Sequence, residues 1–338
     1  MKLLSLFLIA LVIVISSCGK KGSTDNKAPT DLIVNAIVSN DSSGNVSFTA
    51  AATNAVSYFF DFGNGIFQTV ASGIVTYKYP GSGIYTVNVI AKSASGQTIT
   101  KSIQVTVTVA LSLIWSDEFD VAGAPDPANW GYDLGAGGWG NAELQNYTNR
   151  TDNSFVSNGT LKIVAKAESY DGSNYTSARL LSKDKFSFKY GKIEARAKLP
   201  AGVGTWAAIW MLGNNISSVG WPACGEIDIM EHLGRQLNTI YGTLHHPGHS
   251  GGNGDGSTVA ISNATTEFHK YAVEWSAPII KISADDSVFY TFTNSAGLPF
   301  NQNFFIILNV AMGGGFGGPV DPAFTSDTLE IDYVRVYQ

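Results

Sequence analysis

The chain has little cysteine, little charge and no long hydrophobic run. Two Cys among 338 residues cannot build a disulfide framework. Charged residues make up only 14% of the chain, too few for a disordered segment, a coiled coil or a bundle of long helices. Lys and Arg number 21 against 27 Asp and Glu. No basic surplus is therefore present to neutralise a phosphate backbone, which argues against a nucleic-acid partner. The longest apolar stretch, Leu3 to Ile15, is broken by Ser5 and is shorter than the roughly 20 residues a membrane-spanning helix requires. In abundance instead are glycine and aromatics: 36 Gly, 18 Phe, 14 Tyr and 7 Trp. Such a chain, long enough for about two domains, reads as mostly β.

Lys2 followed by the Leu3–Ile15 run has the form of a signal-peptide core. It leads into Ile15-Ser16-Ser17-Cys18, which resembles a bacterial lipobox. The resemblance implies a lipoprotein signal peptide over 1–17, with Cys18 the lipidated first residue of the mature chain. Residues 18–28 then form a tether. Export across the inner membrane and a lipid anchor at the outer membrane are the expected outcome.

Beyond the tether the sequence divides near residue 110. Residues 29–110 contain no Trp; residues 111–338 hold all seven, with 14 Lys and Arg against 23 Asp and Glu. The first segment has short alternating strands with turns at regular spacing, which predicts a small β-sandwich. Its stretches Tyr58-Phe59-Phe60-Asp61-Phe62-Gly63-Asn64-Gly65 and Tyr79-Pro80-Gly81-Ser82-Gly83 resemble a PKD domain, an immunoglobulin-like sandwich. Phe60 stands where that family usually has Trp. With no catalytic cluster in view, the segment reads as a spacer. The second segment alternates strands and turns without sustained helical periodicity, which predicts an all-β fold, a large sandwich or jelly roll.

The chemistry concentrates at Trp221-Pro222-Ala223-Cys224-Gly225-Glu226-Ile227-Asp228-Ile229-Met230-Glu231-His232. Side chains alternate along a strand, so Glu226 and Asp228 share a face with Ile227 and Ile229 opposite. Unbroken alternation would send Glu231 into the core, where an unpaired carboxylate costs several kcal/mol. One extra residue in a bulge near Ile229-Met230 returns Glu231 to the face of the other two acids. Two carboxyl groups flanking a bond, one acid and one nucleophile or base, are what glycoside hydrolysis needs, and crowding raises at least one pKa.

At these residues the chain resembles glycoside hydrolase family 16 in its laminarinase (endo-β-1,3-glucanase) branch, a concanavalin-like jelly roll, over nearly all of 113–338. The resemblance implies a retaining mechanism with Glu226 as nucleophile, Glu231 as general acid/base and Asp228 assisting between them. It implies no cofactor for catalysis, a β-glucan substrate and a monomer. Gly138-Trp139-Gly140-Asn141-Ala142-Glu143-Leu144-Gln145-Asn146-Tyr147-Thr148 resembles a substrate-binding segment, Ser177-Ala178-Arg179-Leu180 precedes a strand, and the resemblance puts Asn141 and Arg179 on sugar hydroxyls. Gly204-Thr205-Trp206-Ala207-Ala208-Ile209-Trp210 matches a family strand, with Ala207 in place of the usual Pro.

Trp206, Trp210 and Trp221, with Trp139, are expected to offer flat faces to sugar rings, while Trp115, Trp130 and Trp275 read as packing. His245 is placed near the acid/base by the resemblance. His245-His246-Pro247-Gly248-His249 reads as a cleft-edge loop and not as a catalytic zinc site, for want of a partner Cys or a Glu at zincin spacing. Cys224 reads as packing, and Gly313–Gly318 as a flexible cleft-side loop. Many family members bind a structural calcium; the matching positions are Glu118, the Gly159 carbonyl and Asp332. A family 16 galactanase (agarase, porphyranase or carrageenase) or a non-catalytic glucan-binding protein on the same sandwich are the alternatives.

Overall fold

The computed structural model describes residues 27–338; the expected signal peptide, Cys18 and nearly all of the tether lie outside them. Two β-sandwiches follow one another. In the first, strands between Thr30 and Val107 form a three-stranded and a four-stranded sheet. Their inward residues, among them Phe48, Phe60, Phe62, Tyr79 and Tyr85, close a core of their own. The alternating burial of Gly83–Lys92 is the half-buried strand pattern at its plainest.

The second sandwich packs a ten-stranded sheet against a seven-stranded one. Leu113–Asp117 enters the larger sheet beside the last strand, Ser326–Tyr337. Ser112 and Gln338 exchange backbone hydrogen bonds of 2.7 and 3.0 Å, tying the domain linker to the chain end. A crevice of about 460 Å³ separates the two domains, between Gly81–Ile84 and Trp275–Ile279. It opens beside the ten-stranded sheet, which carries Trp275.

The seven-stranded sheet runs in the order Asp255–Ala260, Thr239–His245, Glu226–Leu233, Thr205–Gly213, Phe304–Met312, Arg179–Leu181 and Gly131–Asp133. One face of it packs on the other sheet through Ile209, Met211, Ile227, Leu244, Ile306 and Leu308. The strands that matter most are thus central, supported on both sides.

A smaller apolar cluster of Leu181, Leu212, Cys224, Phe305 and Ile307 lies on the opposite face. Leu212 pairs with Phe305 and Leu181 with Ile307 across adjoining strands. Cys224 is fully buried there, and burial pushes its thiol up to about 11, so it packs and does not react. Trp130 and Trp275 are buried, and Trp115 stacks on Phe186 at 4.8 Å; all three serve the core.

Gly213 ends its strand against the turn that precedes Glu226, donating to the Gly225 carbonyl at 3.1 Å. A Cβ on Gly213 would lie 2.0 Å from the Cys224 carbonyl oxygen. Backbone cannot yield by that much, so Gly213→Ala is expected to lower stability by about 3 kcal/mol, measured as a shift in the denaturant midpoint at unchanged m-value.

Candidate active site

Glu226–Leu233 carries the bulge, and the extra residue is Ile229. Against the Thr205–Gly213 strand, Met230 faces Ile209 and Asp228 faces Trp210, leaving Ile229 without a partner. Against Thr239–His245, the interval from Asp228 to Glu231 spans one residue more than that from Thr243 to Tyr241. Ile227, Ile229 and Met230 all enter the core. Glu226, Asp228 and Glu231 are left together on the other face, Asp228 and Glu231 buried and Glu226 with an exposed edge.

Two of the acids hold an indole N–H donor. Trp221 donates its indole N–H to Glu226 Oε2 at 2.7 Å, and Trp206 donates to Glu231 Oε1 at 2.9 Å. His245 Nε2 lies 3.2 Å from Asp228 Oδ2, and it is near enough to Glu231 to favour that carboxylate's ionised form. Burial pushes all three carboxyls up. Glu226 rises to about 8, with the Asp228 charge adding to burial. Glu231 rises to about 7, and Asp228 well above its ordinary range with Glu231 adding to burial. Three acids this close titrate as one unit that holds a proton near neutrality. The raised values belong to the three acids together and not to one residue each, so a proton kept on Glu231 or Asp228 leaves Glu226 free to be the ionised carboxylate.

Trp206 and Trp221 use their N–H edges on the acids, and Trp210 donates to Asn309 Oδ1 at 2.7 Å. Arg179 lies over the rings of Trp210 (4.8 Å) and Trp139 (5.0 Å), with Nε 3.0 Å from Asp133. Its guanidinium therefore takes ring faces that sugars were expected to use. Trp221 remains 48% exposed, enough to meet a sugar ring. Asn141 is exposed and donates to Glu143 Oε1 at 3.0 Å.

Glu143 and Tyr147, in the segment expected to bind substrate, and Asn309, to which the sequence assigned no role, form a polar chain beneath the indoles. Glu143 accepts from Gln145 and Tyr147, and Tyr147 Oη accepts from Asn309 at 3.0 Å. Asn309 did leave a sign: it is the one polar side chain in the apolar strand Phe304–Met312. The Gly313–Gly318 segment is a short helical turn entered and left by glycines with positive φ. It sets Phe316 edge-on to Trp206 (5.4 Å) and Tyr241 (5.0 Å). His232 and His269 make ordinary hydrogen bonds to Leu237 and Asp285.

The positions matched to calcium do not form a cation site. Glu118 binds Arg335 through both oxygens, at 2.9 and 2.7 Å, and Asp332 accepts from Arg196 at 2.6 Å. Two carboxylates neutralised by two guanidinium groups leave no anionic surplus for an ion that seeks six to eight oxygens. Gly159 takes part only as a turn residue with φ of 70°.

Comparison with known proteins agrees with the geometry. The model for glycosyl hydrolases family 16 matches residues 141–335. A second model, for the β-glucan synthesis-associated proteins SKN1/KRE6/Sbg1, matches 52–227 and stops before Asp228 and Glu231. A β-glucanase of Rhodothermus marinus is 46% identical over 242 residues, covering 67% of this chain and 85% of its own. The crystallised laminarinase of that organism superposes with a TM-score of 0.66 at 46% identity, over 68% of this chain and 98% of its own. A Zobellia galactanivorans protein solved with laminaritriose and laminaritetraose is 45% identical, with a TM-score of 0.63, over 68% of this chain and all of its own. A keratan-sulfate endo-1,4-β-galactosidase of Sphingobacterium multivorum is 33% identical over 286 residues, covering 81% of this chain and 66% of its own.

A carboxyl whose folded-state value exceeds its unfolded one stabilises the fold while protonated. For Glu226 that contribution is whole below about 4.5 and is lost as pH rises through about 8. Glu226→Gln, neutral at every pH, is expected to melt about 2–4 °C above the parent at pH 8 and to lose that margin by pH 4.5. Thermal melts across this range measure the difference.

Proposed function

The chain belongs to glycosyl hydrolase family 16, and from that premise we infer that it is a retaining endo-β-1,3-glucanase acting on laminarin-type or mixed-linkage β-glucans. The observation that carries the reading is the single strand face holding Glu226, Asp228 and Glu231.

In this mechanism Glu231 protonates the glycosidic oxygen while the Glu226 carboxylate attacks the anomeric carbon. The bond to the leaving sugar breaks, and a glycosyl ester forms on Glu226. Glu231, now ionised, takes a proton from water, and the resulting hydroxide equivalent displaces Glu226 from the same face the leaving group had occupied. Two inversions give net retention. The Trp206 N–H stabilises Glu231 when it becomes an anion, and the Trp221 N–H does the same for Glu226. Asp228, buried between them and hydrogen-bonded to Glu226, adjusts the protonation of the nucleophile. No step calls for a metal or organic cofactor.

We assign sugar contacts to Asn141, Arg179, His245 and the exposed ring of Trp221. The first sandwich reads as a PKD-like spacer. Cys18, outside the described residues, reads as the lipid attachment point that would hold the enzyme at an outer-membrane face. The galactosidase relative favours keeping galactans among the substrates tested, although a sulfated chain would meet a net-acidic domain.

Glu231→Gln is expected to lower turnover of laminarin by about 10²–10⁴-fold, and Glu226→Gln by at least as much, both remaining folded. With the parent enzyme, NMR of fresh products is expected to show the β-anomer of short β-1,3-oligosaccharides before mutarotation. Normal turnover by folded Glu226→Gln, or the α-anomer first, would contradict the mechanism. Cleavage of agarose, carrageenan or keratan sulfate with laminarin untouched would contradict the substrate.

A further inference from the structure

A second cluster of metal-ligating side chains lies outside the acid face. His246, His249 and Asp255 each bring a ligand atom within 4.8 Å of the other two. His246 Nε2 is 2.9 Å from Asp255 Oδ2, and His249 Nδ1 is 3.0 Å from Asp255 Oδ1. Atoms that share one first-row ion at about 2.0–2.2 Å stand roughly this far apart.

The arrangement is built by the backbone. His246 and His249 exchange hydrogen bonds across the Pro247-Gly248 turn, N–H to carbonyl at 2.8 and 2.9 Å. Both imidazoles consequently project to the same side, stacked at 4.8 Å and 20°. His246 is buried and wedged against Phe292 and Phe300, so its ring cannot swing away. Asp255 opens the neighbouring strand, and among the described residues neither Lys nor Arg pairs with it. The contrast with Glu118 and Asp332, each held by an arginine, is direct.

We propose that His246, His249 and Asp255 bind one divalent transition-metal ion of the zinc type, which clamps the 246–255 loop to the edge of the catalytic face. Two imidazoles and a carboxylate suit zinc, copper or nickel and not calcium or magnesium. His249 is half-exposed, so water has access to complete the coordination. The role is structural: the ion lies beside the cleft and supplies no step of hydrolysis. It nevertheless bears on the site, because Gly254 lies directly against the His245 ring. A Cβ there would come within 2.6 Å of His245 Cε1. Fixing the loop fixes His245, and through it the setting of Asp228.

The test uses untagged full-length protein, stripped with a chelator and titrated with zinc chloride by calorimetry, with melting temperature followed in parallel. One equivalent is expected to bind and to raise the melting temperature by several degrees. His249→Ala and Asp255→Asn are each expected to weaken binding at least tenfold and to abolish the rise. Cobalt in place of zinc is expected to give a visible ligand-field band that is lost in the same variants. Among the described residues Glu226, Asp228 and His245 form the other group able to hold an ion, so Glu226→Gln serves as the discriminating control and is expected to bind zinc as the parent does. Zinc binding unchanged in His249→Ala and Asp255→Asn, or lost in Glu226→Gln, would overturn the proposal.

Discussion

A strand turns every second side chain to the same face, and this chain must put three acids at positions 226, 228 and 231 on one face. The two demands conflict by one residue. The conflict is absorbed at Ile229, which has no partner on the Thr205–Gly213 strand and joins Met230 in the core. Every pairing on either side of it stays in register. The Trp206 and Trp221 contacts to Glu231 and Glu226 require that register, and so does the His245 contact to Asp228.

Gathering three carboxyls under indole rings has an energetic consequence. Burial raises all three pKa values, so the site that catalyses is also a site that opposes folding as pH rises. The surroundings limit the damage with donors that remain in place: two indole N–H groups at the acids, and a polar chain from Glu143 through Tyr147 to Asn309 under Trp210. The small apolar cluster of Leu212, Cys224 and Phe305 anchors one end of the same face. The strength of the site thus comes from its support on central strands of the sheet, not from loops.

Much of this was legible because it is local. The acids, the bulge and the core-facing isoleucines follow from six consecutive residues and the period of a strand. The all-β class follows from alternation and the scarcity of charge. What could not be read was relational. Which group each indole N–H meets is set by strands folded beside it: Glu231 for Trp206 and Glu226 for Trp221. Arg179 was visible, but its position over Trp139 and Trp210 depends on strands far apart in sequence. Glu118 and Asp332 matched a calcium pattern, whereas Arg335 and Arg196, the residues that occupy them, carry no motif. Asp255 stands six residues beyond His249 across a strand boundary, outside any spacing rule for metal ligands.

Two single deletions, two residues apart in the same strand, test the central claim most directly. Removing Ile229 takes out the unpaired residue and leaves Glu226, Asp228 and Glu231 on one face in plain alternation. Removing Ile227 breaks the alternation between Glu226 and Asp228 and turns one of them toward the core. Laminarin turnover by folded protein is expected to survive the first deletion within about a hundredfold, the scale of a small misplacement, and to vanish with the second. Equal loss in both folded variants, or greater activity without Ile227 than without Ile229, would contradict the account.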